Sequence, residues 1–197
     1  MWTPKNKFSI LIPTLVEREE KLNALKEELQ NQIGDRAVQV LSLADNRQMS
    51  VGQKRNMLLA QSTGEYVAFV DDDDSVSVDY VTKVLTALES SPDCCSLTGE
   101  IVFSDGYSRP FIHSLRYDRW IDDHEAKVYY RPPNHLNAVR RSTAKQVGFP
   151  FYNSGEDRVF SMGILPLLER EEWIEGVIYR YKCDKTFEET HNHMVKR

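Results

Sequence analysis

No stretch of this 197-residue chain approaches the roughly 20 consecutive apolar residues that a membrane-spanning helix needs. The opening residues, Met1-Trp2-Thr3-Pro4-Lys5, also lack the apolar core of a secretory signal. The expectation is a cytoplasmic protein, in the host cytoplasm if the chain is of phage origin. Cysteine is scarce, and the three present (Cys94, Cys95 and Cys183) are an odd number, two of them neighbours, without metal-ligand spacing. That argues against a disulfide framework or a zinc module and leaves reduced, structural thiols. Excess positive charge is missing as well, because 25 Lys and Arg face 30 Asp and Glu for a net charge of −5. General attraction to nucleic acid or an anionic membrane is therefore not built in, though local basic clusters remain open. No repeat or low-complexity linker divides the chain, and its length favours a single domain.

With 41% hydrophobic and 28% charged residues, the composition is that of a globular chain with one sizeable core. Phe8 to Pro13 reads as a strand, and Leu22, Leu25, Leu29 and Ile33 follow at helical spacing among Glu and Lys. Val38 to Ala44 alternates before the turn-forming pair Asp45-Asn46. Ser50 reads as the N-cap of a helix through Met57, Leu58 and Leu59. Tyr66 to Val70 is a third strand, and Val78, Val81, Val84, Leu85 and Leu88 predict the apolar face of the next helix. Alternating strands and helices predict a parallel, helix-covered α/β sheet, whose ligands bind at the carboxyl ends of the strands. Pro13-Thr14, Asp45-Asn46 and Asp71 to Asp74 all fall at those ends. Beyond residue 95 the pattern changes to aromatic-rich strand-like pieces, then helical patterning through "STAKQVG" and "EDRVFSMGILPLLE", then a late strand in "WIEGVIYRYKC".

Four consecutive aspartates, Asp71 to Asp74, end the third strand. Side chains alternate along an extended backbone, which lets Asp71 and Asp73 point together and Asp72 and Asp74 oppositely. Converging carboxylates repel unless protonated, hydrogen-bonded or bridged by a cation, and oxygen-only ligands suit Mg²⁺ or Mn²⁺. A metal-bound diphosphate is the natural guest. The alternative is helix capping, for which Asp74 or Ser75 is the candidate. Lys54 and Arg55, following Gly52 and preceding Asn56, put positive charge beside helix-start N–H groups, where an anion would benefit from both.

The segments "FSILIPT", "DNRQMSVGQKRN", "GEYVAFVDDDD", "NHLNAVRRSTAKQVGFP" and "GEDRVFSMGI", in this order, resemble family 2 glycosyltransferases of the GT-A fold. The resemblance implies a Rossmann-like α/β fold: a mostly parallel central sheet flanked by helices, with a small antiparallel acceptor-side sheet. Residues 1–95 would form a nucleotide-sugar-binding half and 96–197 an acceptor-binding and catalytic-base half of one domain. It further implies an inverting, metal-dependent transfer from a nucleotide sugar, commonly a UDP-sugar, to a hydroxyl, with Mn²⁺ or Mg²⁺ as cofactor. By position, Asp71 and Asp73 correspond to the DxD motif, with Asp73 on the metal and Asp71 near ribose and metal; Asp72 and Asp74 form a second register. Pro13, Thr14 and Arg18 would wrap the nucleotide, Asp45 would accept from a uracil N–H, and Lys54 and Arg55 would meet the diphosphate. Asp157 would be the base and Glu156 an acceptor-orienting group. His135 would touch donor sugar or acceptor, Arg140 and Arg141 would steady phosphates or lie on the surface, and His191 or His193 would lend a tail ligand to the metal.

The acceptor stays open among a glycan, a protein side chain and a hydroxymethylated DNA base, to be stacked by Tyr107, Phe111, Tyr117, Trp120, Tyr129 or Tyr130 unless these are hairpin core. The chain is expected as a monomer or small homo-oligomer. Two other classes compete. A nucleotidyltransferase would show a glycine-rich phosphate loop at its first strand, which "LIPTLVERE" lacks. A catalytically inactive nucleotide-sugar-binding module would keep the fold and lose only the base.

Overall fold

The computed structural model describes residues 6–188. Strand β1 (Phe8–Leu15) is almost wholly buried, as expected for a strand covered on both faces. After one 3₁₀ turn, helix α1 (Glu19–Ile33) begins with acids at its positive end and buries Leu22, Leu25, Leu29 and Ile33, the stripe its spacing predicts. Strand β2 (Val38–Asp45) leads to helix α2 (Val51–Gln61), which a full capping box starts: Ser50 accepts from the Gln53 N–H while the Gln53 side chain accepts from the Ser50 N–H. Strand β3 (Tyr66–Phe69) completes a parallel trio in which β1 lies between β2 and β3. Along these strands alternate residues face opposite ways. Ile10, Ile12, Tyr66 and Ala68 join one core cluster with α1, and Leu11, Val67 and Phe69 join a second with Leu58 and Leu59 of α2.

The aspartate run leads into the two-residue strand β4 (Ser75–Val76) and helix α3 (Tyr80–Ala87). This helix starts two residues later than its apolar pattern predicts, and Val78 is exposed rather than core. Neither Asp74 nor Ser75 caps it, because Asp79 stands at the N-cap and β4 intervenes.

The remaining chain alternates between two sheets. Strand β5 (Cys94–Cys95) joins the first; β6 (Leu97–Phe103), β7 (Ser108–His113), β8 (Ile121–Asp123) and β9 (Val128–Arg131) build the second. Strand β10 (Val139–Arg140), helix α4 (Arg141–Val147), helix α5 (Glu156–Ile164) and strand β11 (Glu171–Glu172) return to the first, and β12 (Val177–Cys183) to the second. The first sheet runs β11-β5-β10-β3-β1-β2 and the second β4-β12-β6-β7-β9-β8. The second sheet is therefore as broad as the first and mixed in direction, with β6–β12 and β7–β9 parallel. Sequence halves and sheets do not coincide: β4 comes from the first half, and β10 and β11 from the second. Among the described residues no helix is long and apolar enough to cross a membrane.

Candidate active site

Register aligns Leu15 with Asp45 across β1 and β2, and Leu11 with Phe69 across β1 and β3, so three carboxyl ends open on one side. Two clefts lie there. The first, of about 490 Å³, is bounded by Pro13, Thr14, Arg18, Lys54, Arg55 and Asp71 to Asp73. The second, of about 330 Å³, is bounded by Trp120, Tyr129, His135, Glu156 and Asp157 among others. Arg55, Asp71, Asn153, Glu156 and Tyr181 border both, and the clefts meet there.

Arg55 occupies the junction. Its guanidinium is buried, donates to Asp71 at 3.1 Å and to Glu156, and lies 5.6 Å from the centroids of both Phe69 and Phe149. Burial opposes ionisation of Asp71, but Arg55 and His135 outweigh it and hold this carboxyl well below the usual carboxylate range. Left-handed Gly155, at φ 81°, turns the chain into α5 so that Glu156 and Asp157 open the helix at the second cleft.

The aspartates separate by partner. Asp72 is buried against β1, accepting from the Thr14 hydroxyl at 2.5 Å and from Arg18 at 2.8 Å. The same Arg18 nitrogen lies 2.9 Å from Asp73, which is one-third exposed. Asp74 points away from the clefts, with the Tyr179 hydroxyl donating at 2.6 Å and the Lys182 N–H at 2.9 Å. Burial first, then the charge of Asp71, pushes the Asp74 carboxyl up to about 8. Asp71 and Asp73 thus face the first cleft while Asp72, though bordering it, is tied down.

Several predicted residues sit differently from their expected roles. Lys54 is buried, donating to Asp45 at 2.8 Å and to the Thr14 carbonyl at 2.7 Å. Asp45 takes that bond on one oxygen and the Met49 N–H, at 2.6 Å, on the other; the two, Lys54 first, hold it below the usual range. Its carboxylate is thus already paired, although it stands at the strand end where a base was expected. The N–H groups starting α2 are not free for an anion: Val51 donates to the Asn153 side chain, Gly52 to the Tyr152 carbonyl and Gln53 to Ser50. Gly52 permits that contact, since a Cβ there would lie 1.8 Å from the Pro150 oxygen. Arg140 and Arg141 lie away from the clefts, bonded to Glu65 and Asp93 and to the Ser62 and Gly64 carbonyls. His191 and His193 lie outside the described residues.

His135 is buried at the second cleft with neither ring nitrogen hydrogen-bonded; Nε2 is 3.7 Å from Asp71. Phe111, Trp120 and Tyr129 line the same cleft, whereas Tyr117 packs on Tyr130, and Tyr107 on Phe103. Motif reading missed Tyr181, which borders both clefts, and Asn153, which also ties the 148–155 segment to α2. The period-two tyrosines Tyr179 and Tyr181 were the available signal for the first; nothing flagged the second.

Among the described residues no group of three or more His, Cys, Asp or Glu side chains is arranged to hold a metal. Asp71 and Asp73 are partly exposed carboxylates on one cleft, the donor type a hard divalent ion takes, and each pairs with an arginine, Asp71 with Arg55 and Asp73 with Arg18.

Searched against curated proteins, the sequence finds no match. Among solved structures, TarS residues 1–349 from S. aureus superpose with a TM-score of 0.63 at 18% identity, covering 89% of this chain and 60% of that one. The same protein in complex with UDP-GlcNAc gives 0.64 at 18% identity, with 91% and 59% covered. This chain thus spans about 60% of the length of those structures, and the likeness shows a shared fold. Residues 18–152, well over half of the chain, match glycosyl transferase family 2, and the chain belongs to that family.

Proposed function

We propose that this chain is a metal-dependent, inverting glycosyltransferase that moves a sugar from a nucleotide sugar, a UDP-sugar by analogy with the TarS complex, to an acceptor hydroxyl. One observation carries the reading: a cleft walled by Thr14, Arg18, Asp71 and Asp73 meets, at Arg55, a cleft that holds an acid at a helix start, Asp157. Nucleotide and acceptor can occupy separate spaces with the reacting carbon between them. That is the geometry a direct displacement requires.

In the proposed reaction the acceptor oxygen attacks the anomeric carbon as the bond from that carbon to the diphosphate oxygen breaks. The electron pair leaves on the nucleoside diphosphate, the acceptor proton passes to Asp157, and the anomeric configuration inverts. A divalent ion held by Asp71 and Asp73 would supply Lewis-acid stabilisation of the departing diphosphate. Arg18, which now neutralises Asp72 and Asp73, is the partly exposed cation at hand for phosphate oxygens. Arg55 holds Asp71 ionised and Glu156 in place, and Lys54 with Asp45 braces the end of β1.

The test is a panel of nucleotide sugars with Mn²⁺, read by release of free nucleotide with and without candidate acceptors. One donor class should be turned over, and chelation should stop it. If calorimetry detects no nucleotide or nucleotide sugar binding at all, the proposal fails.

A further inference from the structure

A third cavity, of about 430 Å³, continues from the Asp157 cleft across Ile101, Tyr129, Arg131 and Tyr181, and runs along the end of β12 past Lys182 to Lys185. Tyr181 borders all three spaces and is 42% exposed, whereas Tyr129 beneath the groove is buried and held by the Arg109 guanidinium, 4.1 Å from its ring centroid. An open aromatic ring at the meeting of three cavities is a stacking platform. Its neighbours decide for what.

Cations and acids line this groove together. Arg131 donates to Asp122 at 2.6 Å, and Asp73 and Asp184 stand on the same wall as Lys182 and Lys185. A polyanion such as nucleic acid needs several uncompensated cations along its track, and the chain as a whole carries −5. Mixed charges around an aromatic face instead suit a neutral sugar, which offers an apolar ring face to the tyrosine and hydroxyls to donors and acceptors alike.

We infer that this cavity is an acceptor subsite for an oligosaccharide or longer glycan, with the reacting sugar unit beside Asp157 and the adjoining unit stacked on Tyr181. The inference rests on reading the joined clefts as a glycosyl-transfer site. Recognition is then of a chain, since a lone monosaccharide leaves the groove beyond Tyr181 unfilled.

The probe is an array of neutral glycans, monosaccharides through hexasaccharides of defined linkage, with UDP binding measured in parallel and duplex DNA as the polyanionic comparison. For at least one linkage series, affinity should rise from mono- to di- or trisaccharide and then level off. Tyr181→Ala should weaken the longer members about tenfold, the scale of one aromatic contact, while Tyr181→Phe retains them. Absence of any length-dependent glycan binding, equal binding by Tyr181→Ala, or tighter binding of DNA than of every glycan would each overturn the subsite. Loss of the broader reading would look different, because UDP would then fail to bind the wild-type chain.

Discussion

Replacing Arg55 by methionine keeps an unbranched side chain between Phe69 and Phe149 but removes the charge shared by Asp71 and Glu156. Glu156 is nearly as buried as Arg55 itself, and Asp71 only partly exposed, so two carboxylates would face one another with little solvent to screen them. Removing one partner from a buried pair costs about 3–5 kcal/mol, chiefly through the charge left behind. For a chain of this size that lowers Tm by roughly 6–20 °C, at about 2–4 °C per kcal/mol. Adding Glu156→Gln removes one stranded charge, and the double variant should be more stable than Arg55→Met alone. Urea denaturation of the four members of the cycle measures the coupling, expected at about 2–3 kcal/mol. The variant also changes the acid limb. Asp71 is depressed in the folded state, so its contribution is present above its unfolded pKa of about 3.9 and lost as pH falls below it; without Arg55 that loss shrinks. Arg55→Met within about 1 kcal/mol of wild type, or an additive cycle, would refute the argument.

Asp157→Asn should reduce transfer by at least about a hundredfold while nucleotide-sugar affinity stays constant; retained turnover would remove Asp157 as the base. Asp73→Ala should abolish the Mn²⁺-dependent part of donor binding in calorimetry, and an unchanged metal response would shift the site elsewhere. His113 is buried with Nδ1 3.2 Å from the Asn137 oxygen, and burial pushes its pKa down to about 3. The unfolded state therefore binds more protons between about pH 6.5 and 3, and stability should fall on acidification through that window by up to about 1.4 kcal/mol per pH unit. His113→Phe should flatten that slope in urea melts repeated across the window. Gly52→Ala should destabilise by about 1–3 kcal/mol, because the Pro150 carbonyl must give way; a neutral effect in thermal melts would contradict the close packing of α2.

Strands β1 to β3, helix α1 and the cap of α2 were legible because periodicity and capping are local properties. The two-residue strands β4, β5, β10 and β11 were not, since pairing with distant segments is what makes them strands. The site divides in the same way. The aspartate run and the Glu156-Asp157 pair could be read from motifs. That Lys54 would be matched by Asp45, and Asp74 by Tyr179 more than a hundred residues away, depended on the packed arrangement. The helix start at Val78 failed for a related reason: Ser75 and Val76 pair with β12 and delay the helix.

Each aspartate of the run is moored to a different part of the molecule: Asp71 to α2, Asp72 to β1, Asp73 to Arg18 at the cleft wall and Asp74 to β12. The motif is thus indexed by position and not by composition. Losing one acid by an in-frame deletion would still leave a three-aspartate signature that pattern matching accepts. Every remaining carboxylate on one side of the gap would nevertheless inherit its neighbour's mooring, and a relative with a shortened run should be judged by its β1 and β12 partners before it is counted as active.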